Sequence, residues 1–128
     1  MIDPAAPGQA VLDFLTERHL ATLTTMRADG SPHVVAVGFS YDPYSRLARV
    51  ITFAPSVKAR NAARRGRAAV CQVDGGRWLT LEGIVRLATD TASVAAAVEG
   101  YAARYRQPGE RADRVAIEIQ VDRILGRA

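Results

Sequence analysis

The sequence predicts a mainly β fold: a six-stranded antiparallel barrel with one short helix in its middle and one longer helix before its last strand. Three observations predict it. Six short runs rich in β-branched and apolar residues follow one another along the 128 residues. Two tight-turn sequences, Asp29-Gly30 and Asp74-Gly75-Gly76, join consecutive runs, and such turns make antiparallel hairpins. The one long stretch with helical spacing falls between the fifth and sixth runs. Closure into a small barrel is favoured because it removes exposed strand edges. A barrel of this size fills its own interior, so a ligand is expected on an outside face or between subunits. The length suits one domain over residues 1–128 with a single core, residues 1–9 being expected to be flexible.

The elements follow in order. Ala10–Arg18 carries Val11, Leu12, Phe14 and Leu15 at helix-like spacing and is expected to be a short amphipathic helix. Leu20–Arg27 is the first strand. Pro32–Tyr41 is the second, and its near-continuous apolar character suits burial on both faces, or one face on the core and one in an interface. Gly38 inside it implies a bulge or a close approach by another group. After the turn at Asp42–Ser45, Leu47–Phe53 is the third strand. Ala68–Val73 and Trp78–Leu87 flank the second hairpin turn. Thr89–Arg106 is the long helix, with Asp90 as its N-cap and Gln107-Pro108-Gly109 as its stop. Arg114–Leu125 alternates Val115, Ile117, Ile119 and Val121 against polar neighbours, the pattern of a strand with one buried face.

The short middle helix, within Ala54–Arg67, is the first candidate site. Ser56 is a good N-cap and Gly66 a plausible stop. Lys58 is the only lysine in a chain whose other cations are arginines. A helix start offers unpaired N–H groups, so its first turn suits a phosphate. Lys58, Asn61 and Arg65 would share one face and Arg60, Arg64 and Arg67 another, with Ala59, Ala62 and Ala63 between them. The same pattern also suits a solvated basic helix packed through its alanines.

Composition narrows the function classes. Net charge is +4, which favours an anionic partner. Aromatic residues are only 6% and do not interleave with the basic ones, so a base-stacking nucleic-acid surface is not expected. No apolar run approaches the roughly 20 residues of a membrane helix, and Met1-Ile2-Asp3-Pro4 lacks signal-peptide features, so the cytoplasm is the expected compartment. His19 and His33 stand alone and Cys71 is the single cysteine, so no metal site is expected and Cys71 reads as an inert buried thiol. His33 suits an exposed strand position or a substrate contact. Trp78 suits the core or a cap over a flat ligand. No nucleophile elbow or phosphate loop is present, and the catalytic side chain is not identified. A chain with no acid–base set of its own can still catalyse when a cofactor brings the chemistry.

The ordered set of motifs resembles a known family. The first helix, Leu20–Arg27, Asp29-Gly30-Ser31-Pro32-His33, Tyr41-Asp42-Pro43 and Lys58-Ala59-Arg60-Asn61 resemble the split β-barrel flavin/deazaflavin oxidoreductases, the pyridoxamine-phosphate-oxidase-like proteins. Phe14–Ala21, Ser31–Gly38 and Cys71–Gly83 are similar to the subgroup of F420-dependent biliverdin reductases. The resemblance spans about Val11 to Gly126.

It implies a split barrel, a homodimer and a cofactor groove at the dimer interface. It implies that Lys58 and Asn61 hold the cofactor's phosphate-bearing tail, with Ser56 and Arg60 nearby. Val35, Ala36, Val37, Ile51 and Thr52 would line the deazaflavin ring, and Trp78 would lie near it. The implied reaction is hydride transfer from reduced coenzyme F420 to biliverdin, giving bilirubin, or to a similar conjugated tetrapyrrole. The arginines that pair with such a substrate's propionates are not singled out. An FMN-binding oxidase-like protein and a non-catalytic F420 carrier are the alternatives. Neither a nucleic acid nor a membrane is an expected partner.

Overall fold

The computed structural model describes all 128 residues, Met1–Ala128. The elements are α1 (Gln9–Thr16), β1 (Ala21–Met26), β2 (Pro32–Val37), β3 (Ser40–Asp42), β4 (Leu47–Phe53), α2 (Val57–Ala63), β5 (Arg67–Asp74), β6 (Arg77–Ala88), α3 (Thr91–Arg104) and β7 (Arg114–Arg127). All strands join one antiparallel sheet in the order β2-β1-β5-β6-β7-β4-β3. No helix is long and apolar enough to cross a membrane.

Local chemistry explains both hairpins. In the β1–β2 turn the Asp29 carboxylate accepts from the Ser31 N–H at 2.9 Å and from its hydroxyl at 2.6 Å. Gly30 supplies the left-handed residue that this turn needs, with φ 83°. Gly75 does the same for the β5–β6 turn, where Asp74 and Arg77 close the ladder.

The second strand differs from expectation. Pro32–Tyr41 is not one strand but two, β2 and β3, interrupted at Gly38-Phe39. The break has a physical cause. The Phe39 ring is buried, and its backbone bonds leave the ladder: its N–H donates to the Tyr105 hydroxyl, and its carbonyl accepts from Arg104. Gly38 lies under two rings, and a Cβ there would stand 3.0 Å from both Tyr101 and Tyr105. The strand count therefore rises from six to seven. The first and last strands of the sheet are separated by only those two residues, so the sheet must curl until its edges meet. The ladder stays open there. It is a barrel split along one seam, as the resemblance implied.

One core of 19 buried residues fills the curl, including Phe14, Leu23, Phe39, Val70, Leu79, Leu81, Ile117 and Ile119. α1 adds Val11, Phe14 and Leu15 to it, and α2 adds Ala62. α3 lies on the outer face instead. Ala97 packs there against Ala88 and Ala116, small residues that let the helix approach the sheet closely, with Val94 and Ile51 beside them. Within residues 1–9, expected to be flexible, Ile2 bridges to the sheet, its N–H donating to the Ile124 carbonyl at 2.9 Å, and Gln9 opens α1.

Candidate functional site

The seam is where the site opens. β3 pairs with Leu47–Arg49 only, so Val50–Phe53 of β4 keep a free edge on that side. β2 pairs only with β1, so its other edge is free as well. Free strand edges carry unpaired N–H and C=O groups, which are strong and directional. A cleft of about 390 Å³ lies between them. Ala36, Val37 and Gly38 form one wall, and Ile51, Thr52 and Phe53 the other.

Cations gather around this slot. Lys58 reaches it from the first turn of α2, and Arg106, Arg111 and Arg114 come from the chain after α3, while no carboxylate lines it. Lys58, Arg106 and Arg114 make no ion pair. Arg111 is bound to Asp113, whose carboxyl it holds below the usual range. Its guanidinium stands 4.1 Å from the centre of the Phe53 ring, and the Lys58 ammonium 5.9 Å from the same ring. Such a slot, walled by two strand edges and ringed by cations, suits a planar molecule with an anionic tail.

Two buried devices fix its shape. The Thr52 hydroxyl donates to Ser56 Oγ at 3.0 Å, and that oxygen also accepts from the Ala59 N–H at 3.2 Å. The cleft wall is thereby tied to the cap of α2, which sets where Lys58 starts. At the other end Arg104, only 8% exposed, has no carboxylate partner. It donates to the carbonyls of Glu17 and Phe39, both at 2.8 Å, and to Gln72 Oε1 at 2.7 Å. Burial pulls its pKa down and pushes the neighbouring Tyr105 hydroxyl up. The Tyr105 hydroxyl donates to the His19 carbonyl at 2.6 Å. Together these two residues bind the end of α3 to the β2–β3 break and hold Tyr101 at the cleft.

The expected site residues divide into two groups. Ala36, Val37, Ile51, Thr52 and Lys58 come together in the cleft. Val35 turns inward against the core, and Ser56 lies behind Thr52. Arg60 is exposed and donates to the Pro55 carbonyl. Asn61 is buried: its amide donates to Thr25 Oγ1 at 3.0 Å and accepts from Arg64 at 2.6 Å. It does not share the cleft with Lys58, and Arg65 lies beyond the end of α2 with φ 62°. His33 pairs across from Thr25, and its Nδ1 is buried without a partner. Sequence reasoning missed Phe53, Tyr101, Arg106, Arg111 and Arg114. No local pattern marks them, because they reach the cleft through the β4–β7 pairing and the packing of α3.

Trp78 lies on a different surface. The outer face of β2, β1, β5 and β6 carries Val34 (56% exposed), Met26, Val73 (63%) and Trp78 (38%), with Leu20 and Ile84 at its margins. Between them run Ala36, Thr22, Cys71 and Thr80, in register across the four strands. This is a largely apolar stripe, bordered beside Met26 by Arg67 and Glu82, of a kind monomeric proteins seldom expose.

Residues 8–128 match the pyridoxamine 5'-phosphate oxidase family. The chain is 56% identical over 117 residues, 91% of its length and 85% of the relative's, to the F420H(2)-dependent biliverdin reductase of Mycobacterium tuberculosis (strain CDC 1551 / Oshkosh). Among solved structures it superimposes on an F420 reductase with a TM-score of 0.71 at 25% identity, covering 88% of this chain and 94% of that one. It also superimposes on the conserved hypothetical protein Rv2991 of M. tuberculosis, with a TM-score of 0.79 at 22% identity, covering 95% and 85%. That last likeness speaks to the fold alone.

Proposed function

This chain belongs to the pyridoxamine 5'-phosphate oxidase family, and from that membership we propose that it is an F420-dependent oxidoreductase that reduces biliverdin to bilirubin. The observation that carries the reading is the cationic cleft at the barrel seam, in a chain more than half identical to a reductase of that name. The residues present fit the coenzyme. The free edges at Ala36–Gly38 and Ile51–Phe53 offer backbone groups to the polar rim of a flat ring, and Ala36 and Ile51 offer it an apolar surface. Lys58 and Arg106 lack carboxylate partners and are assigned to the anionic tail. The chemistry supplied by the bound reduced deazaflavin is hydride donation.

This chain's own residues bind, orient and exclude water. Lys58 is the direct grip. Ser56 and Asn61 set the helix that carries it, one through the cap and the other through Thr25. Arg60 adds to the positive field without facing the cleft. A second copy of the chain completes the site. Within one chain Trp78 is three strand spacings from β2, roughly 14 Å, too far to cover the cleft. A two-fold dimer formed through the apolar stripe carries Trp78 of each subunit toward the other's seam. A cytoplasmic location, with Cys71 kept as a free thiol, completes the reading.

The test is anaerobic mixing of protein, reduced F420 and biliverdin, followed by absorbance. The expected result is loss of the biliverdin band, growth of the bilirubin band and return of oxidised F420 in equal amount. Tight FMN binding together with no binding of F420 would sink the proposal. Tight F420 binding without turnover would instead make the chain a carrier.

A further inference from the structure

A second groove opens beside the cleft, and its volume is about 790 Å³. Val94, Ala95 and Val98 give it a largely apolar floor along α3. It shares only two residues with the first cleft, Arg111 and Arg114, which therefore stand as a common wall between the two spaces. Arg114 is free of any carboxylate, and Arg111 spends Nε and Nη2 on Asp113, leaving Nη1 uncommitted. One acid, Glu110, lines the groove. An apolar trough ending in a pair of guanidinium groups complements a ligand that is long, unsaturated and carboxylate-bearing.

From this we infer that the groove along α3 is the substrate site, and that Arg114, assisted by Arg111, binds the substrate's carboxylates. The inference rests on the proposed reductase function and deepens it. The division of labour follows from position. Lys58 and Arg106 face only the first cleft and serve the coenzyme's tail. Arg114 faces both spaces, so a linear tetrapyrrole dicarboxylate anchored there lays its body over Val94, Ala95 and Val98. Its reacting carbon, the central methine bridge between the two propionate-bearing rings, then lies beside that shared wall at the mouth of the cleft. Specificity for acidic tetrapyrroles over neutral ones comes from this pair, since a guanidinium grips a carboxylate through two parallel hydrogen bonds and an ester cannot replace it.

The experiment uses the full-length protein with F420, and biliverdin or its dimethyl ester as probes. F420 affinity is measured separately by fluorescence. Arg114→Gln is expected to raise KM for biliverdin by about tenfold or more, the size of a lost charge-assisted contact. It should leave KM for the diester nearly unchanged, and any loss of F420 affinity should be smaller than that caused by Lys58→Ala. Ala95→Trp, at an exposed helix position that lines only the groove, should raise KM for both probes without altering F420 binding. The inference is overturned if Arg114→Gln affects acid and ester alike, if its whole effect lies in F420 affinity, or if Ala95→Trp changes nothing. Failure of the wild type to reduce biliverdin while F420 binds would overturn the reductase reading and this inference with it. Normal turnover with insensitive variants would overturn the inference alone.

Discussion

Lys58 is one of three unpaired cations at the cleft, and the only one placed there by a helix whose cap is itself tied to the cleft wall through Thr52 and Ser56. Its ammonium has no competing carboxylate, so its interaction with an anionic tail is not offset by a broken ion pair. Lys58→Ala should weaken F420 binding by about 1.5–3 kcal/mol, the value of a hydrogen bond to a charged group; fluorescence titration measures it, and an unchanged dissociation constant removes Lys58 from the site. Glu17 behaves differently. Hydrogen bonds from Arg77 and then His19 lower its pKa from 4.5 to about 2. A carboxylate with a depressed folded-state pKa contributes stability above its unfolded value and loses it as pH falls through the folded one. The Glu17 contribution is therefore complete above pH 4.5 and disappears toward pH 2. Acid unfolding followed by circular dichroism should lose this part of its pH dependence in Arg77→Met, and high salt should shrink it, because the pair is exposed.

At the scale of elements, the break between β2 and β3 creates the seam, and Gly38 makes the break possible. Gly38→Ala would place a methyl group 3.0 Å from the Tyr101 and Tyr105 rings. The rings or the strand must yield, so we expect about 1–3 kcal/mol of destabilisation, read from denaturant midpoints, together with weaker F420 binding. A variant as stable as wild type would show that the rings have room. This break also marks where the sequence stops being legible. Asp29-Gly30 and Asp74-Gly75 are local signals and predicted both hairpins. Ser56 and Asp90 are local too, and each accepts the N–H three residues on. Gly38 announced a close approach, but the approaching rings lie more than sixty residues further along the chain, where no short-range pattern can name them. Asn61 shows the same limit: helical spacing put it beside Lys58, whereas the buried Thr25 hydroxyl decides where its amide points. The arginines after α3 were indistinguishable from the rest until β7 paired with β4.

The molecule as a whole presents a small split barrel with one uncovered side. Val34, Met26, Val73 and Trp78 would be costly to leave in water, and a second copy is the occupant consistent with a site that one chain leaves half-open. Val73→Asp sets a carboxylate opposite Trp78 on that stripe. Sedimentation should then show a monomer where the wild type is expected to run as a dimer, and F420 affinity should fall with it. A monomeric wild type that binds F420 normally would refute the dimer. The central claim, that the seam between β2 and β4 is where the deazaflavin binds, is tested most directly by amide hydrogen exchange with and without F420. Protection is predicted at Ala36–Gly38, at Ile51–Phe53 and in the chain from Arg106 to Arg114. Saturating F420 that leaves these amides unchanged, or that protects another part of the sheet in their place, would contradict it.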